Sequence, residues 1–168
     1  MAELAGRVSR RASAPADEPF LTEVFAGTRE DELALLAAAP ELQADFAGSQ
    51  SRLQQRVYAE TYPGGAFEVV LLDGAPVGRL FVGRGDDEIC LVDIALLPRH
   101  RGAGIGTHLL RELQAEAAAT GATISLHVGV RSQAQRLYRR LGFVVTAATE
   151  VHLRMRWTPP EPQPNTAS

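Results

Sequence analysis

Lysine is absent from this chain; all 17 basic residues are arginine. With the many alanines, this reads as coding bias and carries no functional weight. Cysteine is almost absent as well. The single Cys90 excludes an intrachain disulfide and a multi-cysteine metal site. No apolar run approaches the ~18 residues of a membrane-spanning helix. The first residues lack the apolar core of a secretory leader. These absences predict a soluble, cytoplasmic protein without membrane attachment. His100, His108 and His152 form no metal-ligand spacing with acids or cysteine, so no metal is expected. Acids are missing between Glu116 and Glu150.

What is present fits one domain: 168 residues, 45 % of them hydrophobic, enough to bury a core. The net charge of -3 argues against a nucleic-acid partner. The charge is unevenly spread. Between Ala95 and Thr149 there are seven arginines against two acids, Glu112 and Glu116. That stretch suits a polyanionic small molecule, or is a set of solvated helix faces. The first 84 residues carry twelve acids against eight arginines. If some of those acids face a cleft, they favour a cationic ligand there; otherwise they cap helices and solvate the surface.

Along the chain, Arg7 to Ala12 is weakly strand-like. A helix starts at Ala16-Asp17-Glu18-Pro19. Thr28 offers a second cap, ahead of the acids Glu30, Asp31 and Glu32. Pro40 ends that helix, and Glu41 to Tyr58 reads as a third. Pro63-Gly64-Gly65 marks a turn. Phe67–Leu72 and Pro76–Val82 read as strands joined at Asp73-Gly74, a hairpin signal. Ile89–Leu97 is a near-continuous apolar strand, hence central in its sheet. A helix over Gly104–Thr120, a strand over Thr123–Val128, a helix over Gln133–Leu141 and two final strands complete a mixed α/β domain, residues 1–157. The proline-rich segment 158–168 is expected to be a disordered tail.

The segment Asp93 to Thr107 is the most informative. A buried strand enters a loop with Gly102, Gly104 and Gly106, and the loop opens a helix. Glycine allows close backbone approach to a ligand, and a helix start offers unpaired N–H groups with partial positive charge. Together they suit a phosphate, and Arg101 adds a full charge. A P-loop is excluded because no lysine follows the last glycine. A dinucleotide fingerprint fails on glycine spacing, and on the missing acid about 20 residues further on.

Arg101-x-x-Gly104-x-Gly106, preceded by Pro98, resembles the pyrophosphate-binding motif of the GNAT acetyltransferase superfamily. Ala134-x-x-Leu137-Tyr138-x-x-x-Gly142-Phe143 resembles that family's second motif, on a helix. The resemblance implies a twisted mixed sheet of about six or seven strands flanked by helices, with the fourth and fifth strands splayed. It implies acetyl-coenzyme A as co-substrate, acetyl transfer to a small-molecule or peptide amine, and a homodimer as a family possibility. Backbone of Ile94, Ala95 and Leu96 would pair with pantetheine. Amides of Arg101, Gly102, Ala103, Gly104, Ile105, Gly106 and Thr107 would bind the pyrophosphate. Ala134 and Tyr138 belong to the second cofactor motif. Arg131 stands where the family often has an asparagine that contacts the cofactor; by this resemblance the arginine would reach a phosphate instead.

Transfer to an amine needs a base, a proton donor for the leaving thiolate and donors for the oxyanion. The resemblance makes Tyr138 the donor; packing is its other role. Asp93, a carboxylate inside an apolar strand, needs a partner and has its pKa raised by burial. It is either the base or a paired structural acid. His127, in the next strand, is a second candidate base or a structural histidine. Cys90 reads as packing. The alternative to an enzyme is a GNAT domain that senses coenzyme A or binds a partner without turnover.

Overall fold

The structure is a computed structural model that describes residues 2–162. Seven strands and five α-helices follow in the order β1(Val8–Ala12), α1(Glu18–Thr28), α2(Glu30–Ala34), α3(Pro40–Thr61), β2(Ala66–Leu72), β3(Ala75–Arg84), β4(Glu88–Leu96), α4(Ile105–Thr120), β5(Thr123–Gly129), α5(Ala134–Arg140), β6(Val144–Ala148), β7(His152–Trp157). The sheet order is β1-β2-β3-β4-β5-β7-β6, so β4 holds the central position its apolarity predicted. The class is the mixed α/β one expected. Residues 158–162 carry no regular structure, and the remainder of the proline-rich segment, 163–168, lies outside the described residues. Two compact units divide the chain: residues 1–84 with 91–108, and residues 85–90 with 109–168.

In the first unit, β1, β2 and β3 form an antiparallel meander. Asp73 and Gly74 both take positive φ (51° and 83°), as the tight hairpin signalled by Asp-Gly requires. Pro76 lies beside a register shift at Val70/Leu71, the kind of irregularity at which a proline is tolerated inside a sheet. The core here is aromatic: Leu21, Phe67 and Phe81 are buried, with Phe20, Tyr58, Tyr62 and Val92 packed against them. Fully burying such a side chain stabilises the fold by about 1.5–3 kcal/mol. Pro40 opens α3 at its first turn, where a missing N–H costs nothing. Thr28 does not cap α2. Its hydroxyl donates back to the Phe25 carbonyl at 2.7 Å, and Arg29 takes the cap position.

In the second unit, β5 pairs with β7 and β7 with β6, both antiparallel. Leu109, Leu110, Leu113 and Ala117 are buried at helical spacing on α4, and Ile124, Leu126 and Met155 on the strands. The Gln114 side chain donates to the Leu141 carbonyl at 2.7 Å and ties α4 to the end of α5.

Candidate active site

Two features in the first unit carry chemistry. One is the glycine loop. Gly102 and Gly104 take φ of +76° and +87°, a left-handed backbone that side chains strain to adopt. A side chain added at Gly102 would meet nothing within 4 Å, so the loop surface there is open. The loop runs directly into α4, whose first turn contains no acidic residue. Its first N–H groups therefore face no carboxylate of their own helix, and the helix start retains its preference for an anion. These features fit a pyrophosphate. Ile94, Ala95 and Leu96, just before the loop, are half-buried although apolar.

Arg101 differs from the sequence expectation. Its Nε donates to the Leu96 carbonyl at 3.2 Å and its Nη2 to the Gly27 carbonyl at 2.9 Å. The guanidinium is directed at backbone, so it fixes the loop entrance to α1 instead of presenting a free fork to phosphate. Carbonyls at the end of a strand and a helix are natural partners for a cation.

The other feature is a buried polar cluster. Arg79 on β3 is 1 % exposed and Asp93 on β4 is 11 % exposed at the side chain. Arg79 Nη2 donates to Asp93 Oδ2 at 2.9 Å and to Gln54 Oε1 at 2.8 Å. Its guanidinium carbon lies 5.2 Å from the Phe67 ring centre and 5.8 Å from that of Phe25. The Tyr58 hydroxyl hydrogen-bonds Asp93. Burial pushes the Asp93 carboxyl above the ordinary aspartate value, while Arg79, Tyr58 and the more distant Arg29 pull it down. Burial, then the Asp93 charge, push the Tyr58 phenol up to about 12. Tyr58 is thus a donor, and Asp93 is the group able to accept a proton.

A cleft of about 220 Å³ opens beside this cluster, lined by Phe25, Arg29, Leu53, Gln54, Val57 and Tyr58 among others. Gln54 and Tyr58 belong to both, so the cleft reaches the Arg79–Asp93 pair through two hydrogen-bonded side chains. No carboxylate lines it. Of the acids counted in the first 84 residues, Asp17, Glu18, Glu23, Glu32, Glu68 and Asp73 pair with arginines. A second opening of about 260 Å³ is lined by Glu30, Asp31 and Glu32 together with Arg29, the acid-lined kind of cleft that the charge count allowed.

In the second unit, Tyr138 is buried on α5, its ring 5.8 Å from that of Phe143 in an edge-to-face arrangement. His127 is exposed on β5, across from Arg154 on β7. Arg131 is exposed in the turn after β5, and Ala134 is the first residue of α5. All seven arginines of the basic stretch are exposed. Cys90 is half-buried on β4.

Sequence reasoning found Asp93 but missed Arg79, Tyr58 and Gln54. A signal existed for Arg79: it interrupts the apolar run Pro76–Val82 just as Asp93 interrupts Ile89–Leu97. Opposite charges in two apolar strands point to each other. Tyr58 and Gln54 carried no signal, because helical polar and aromatic residues are common on half-exposed faces.

The pattern of the acetyltransferase (GNAT) domain matches residues 63–145. A mycothiol acetyltransferase of Nocardiopsis dassonvillei is 31 % identical over 137 residues; the match covers 81 % of this chain but only 41 % of that protein. The chain thus spans well under half of that relative's length. Among solved structures, PaiA N-acetyltransferase of Thermoplasma acidophilum in complex with coenzyme A superposes with a TM-score of 0.65. It covers 90 % of this chain and 98 % of that one, at 17 % identity. The Salmonella typhimurium protein yncA, solved with acetyl-CoA, superposes at 0.55 and 21 % identity over 96 % and 99 % of the two chains. At these identities the likeness is one of fold. Residues 63–145 of this chain thus form an acetyltransferase (GNAT) domain. No helix among the described residues is long and apolar enough to cross a membrane.

Proposed function

We propose that this chain transfers an acetyl group from acetyl-coenzyme A to an amine. The observation that carries the reading is the left-handed glycine loop entering an acid-free helix start, in a chain whose fold neighbours include proteins solved with coenzyme A and acetyl-CoA. Backbone N–H groups of residues 101–107 hold the pyrophosphate, and backbone of residues 94–96 holds the pantetheine arm. Asp93 takes the proton from the acceptor ammonium, directly or through a water. An alkylamine of pKa about 10.4 is almost wholly protonated at neutral pH, so this step is required. The free amine then attacks the thioester carbonyl; the C–N bond forms, the nitrogen gives its second proton to solvent, and the C–S bond breaks. Tyr138 gives a proton to the leaving sulfur and regains one from solvent. Tyr58 and Arg79 position Asp93 and set its basicity. The acceptor is a small-molecule or peptide amine.

The test has two parts. Calorimetry with coenzyme A should show strong loss of affinity in a folded Gly104→Val variant. The added Cβ meets only Leu4 Cδ1 at 3.5 Å, so the perturbation is backbone strain of about 1–3 kcal/mol in the loop and a side chain over the phosphate site. Thiol release from acetyl-coenzyme A with a panel of amines should be amine-dependent. Unchanged affinity in the variant removes the loop from cofactor binding.

A second reading is a domain that binds coenzyme A without turnover. The Arg79–Asp93 ion pair favours it, since a carboxylate held by a buried guanidinium can be purely structural. Cofactor binding with no amine-dependent thiol release would select this reading.

A further inference from the structure

We infer that the cleft beside Tyr58 takes a small amine that also carries a carboxylate, an amino acid with an apolar side chain, and that Arg29 recognises the carboxylate. The inference rests on the acyl-transfer reading and names the acceptor class within it. Arg29 is the charged residue that lines the cleft. It sits at the α1–α2 junction with its guanidinium carbon 5.5 Å from the Phe25 ring centre. Arg79 lies 5.8 Å from the same ring. Phe25 thus joins the cation of the cleft to the buried pair. Arg29's ion pair, to Glu32, is a 3.3 Å contact between side chains 44 % and 54 % exposed. Such a pair holds its partners weakly and yields to a ligand. A guanidinium binds a carboxylate through two parallel N–H donors, a match that neither a bare amine nor a neutral amide offers.

The Tyr58 part of the cleft lining suits an ammonium. Tyr58 lines the cleft and hydrogen-bonds the Asp93 carboxylate. An amino acid placed between them presents its carboxylate to Arg29 and its nitrogen towards Tyr58 and Asp93. Part of the lining is apolar. Leu53 and Val57, one helical turn apart on α3, are 48 % and 46 % exposed and line the cleft. They provide contact for an aliphatic or aromatic side chain. The volume of about 220 Å³ lies below the ~300–1,000 Å³ of sites for drug-sized ligands, which favours a small acceptor over a large polycation.

Titration of the full chain with L-leucine and L-leucinamide, followed by chemical shifts, reads this site without requiring turnover. Leucine should bind about 10- to 100-fold more tightly than leucinamide, the range of one charge-assisted interaction. Arg29→Gln should erase that difference, and Arg29→Lys should restore part of it. Arg29 is a surface residue, so these variants keep the fold. Leucine and leucinamide binding equally, neither binding, or a preference that survives Arg29→Gln overturns the inference. Arg29-dependent selectivity with no acetyl transfer to any amine supports the carboxylate site and removes the acyl-transfer reading instead.

Discussion

Replacing Arg79 by methionine keeps the volume of the side chain and deletes its charge. Removing one partner of a buried ion pair costs about 3–5 kcal/mol. Two features of this pair lower the figure. Arg79 Nε and Nη1 are buried without hydrogen-bond partners, and deleting each relieves about 1 kcal/mol or more of unmet desolvation. Asp93 retains the Tyr58 hydrogen bond and 11 % exposure of its side chain. Loss of the contacts with the Phe67 and Phe25 rings, about 0.5–1 kcal/mol each, acts the other way. The net expectation is a loss of about 2 kcal/mol at pH 7. The sign of its pH dependence follows from Asp93. Burial already raises this carboxyl above 3.8, and Arg79 is the largest opposing influence, so the variant raises it further. A group whose folded pKa is raised contributes stability below its unfolded value and loses it as pH rises through the folded value. The deficit should therefore be greatest at neutral pH and above, and shrink as pH falls towards 3.8. Urea unfolding at several pH values measures it. Adding Asp93→Asn should recover at least about 1 kcal/mol at pH 7, as a coupled pair requires. A deficit under about 0.5 kcal/mol, a deficit that grows on acidification, or no recovery in the double variant would refute the reasoning.

Tyr138→Phe keeps the ring against Phe143 and removes the hydroxyl; kcat should fall by about 10²–10⁴-fold with cofactor affinity little changed. Wild-type turnover in this variant returns Tyr138 to a packing role. The acid limb of the kcat/KM profile should lie above the ordinary carboxylate range, because burial raises Asp93, and should move further alkaline in Tyr58→Phe, which removes a hydrogen bond that lowers it. A limb that stays in place in that variant removes Asp93 as the base. Asp17 is held at about 2 by the Arg11 fork and the Ala14 amide. Its contribution is present above 3.8 and lost as pH falls through about 2, so the melting-temperature gap between wild type and Asp17→Asn should close across that window. A gap that persists at the bottom of the window would exclude ionisation as its source.

Periodicity and punctuation decide local structure, and for local structure the sequence was sufficient. The β4 strand, the glycine loop and α4 were legible because an apolar run, three glycines and a helical stripe are properties of adjacent residues. Gly102 and Gly104 show the left-handed backbone that their identity anticipated. Tyr138 was legible as a motif residue on a helix, and its burial adds the packing contact with Phe143. Asp93 was legible as a charge out of place, though its partner was not. Arg79 lies fourteen residues away on the neighbouring strand, and Gln54 and Tyr58 lie on a helix still further back. Only strand register and helix docking choose which residues of separate elements meet, and a linear pattern contains neither. The same holds for Arg101, whose charge could be read but whose two carbonyl partners depend on α1 folding beside the loop. It holds most for charge. Counting acids in the first half suggested a negative cleft; tertiary structure pairs several of them with arginines at the surface, places Glu30, Asp31 and Glu32 around one opening, and leaves Arg29 as the charged residue of the other. Net charge is a sum over residues, but the potential in a cleft belongs to the few that face it, and packing alone selects those.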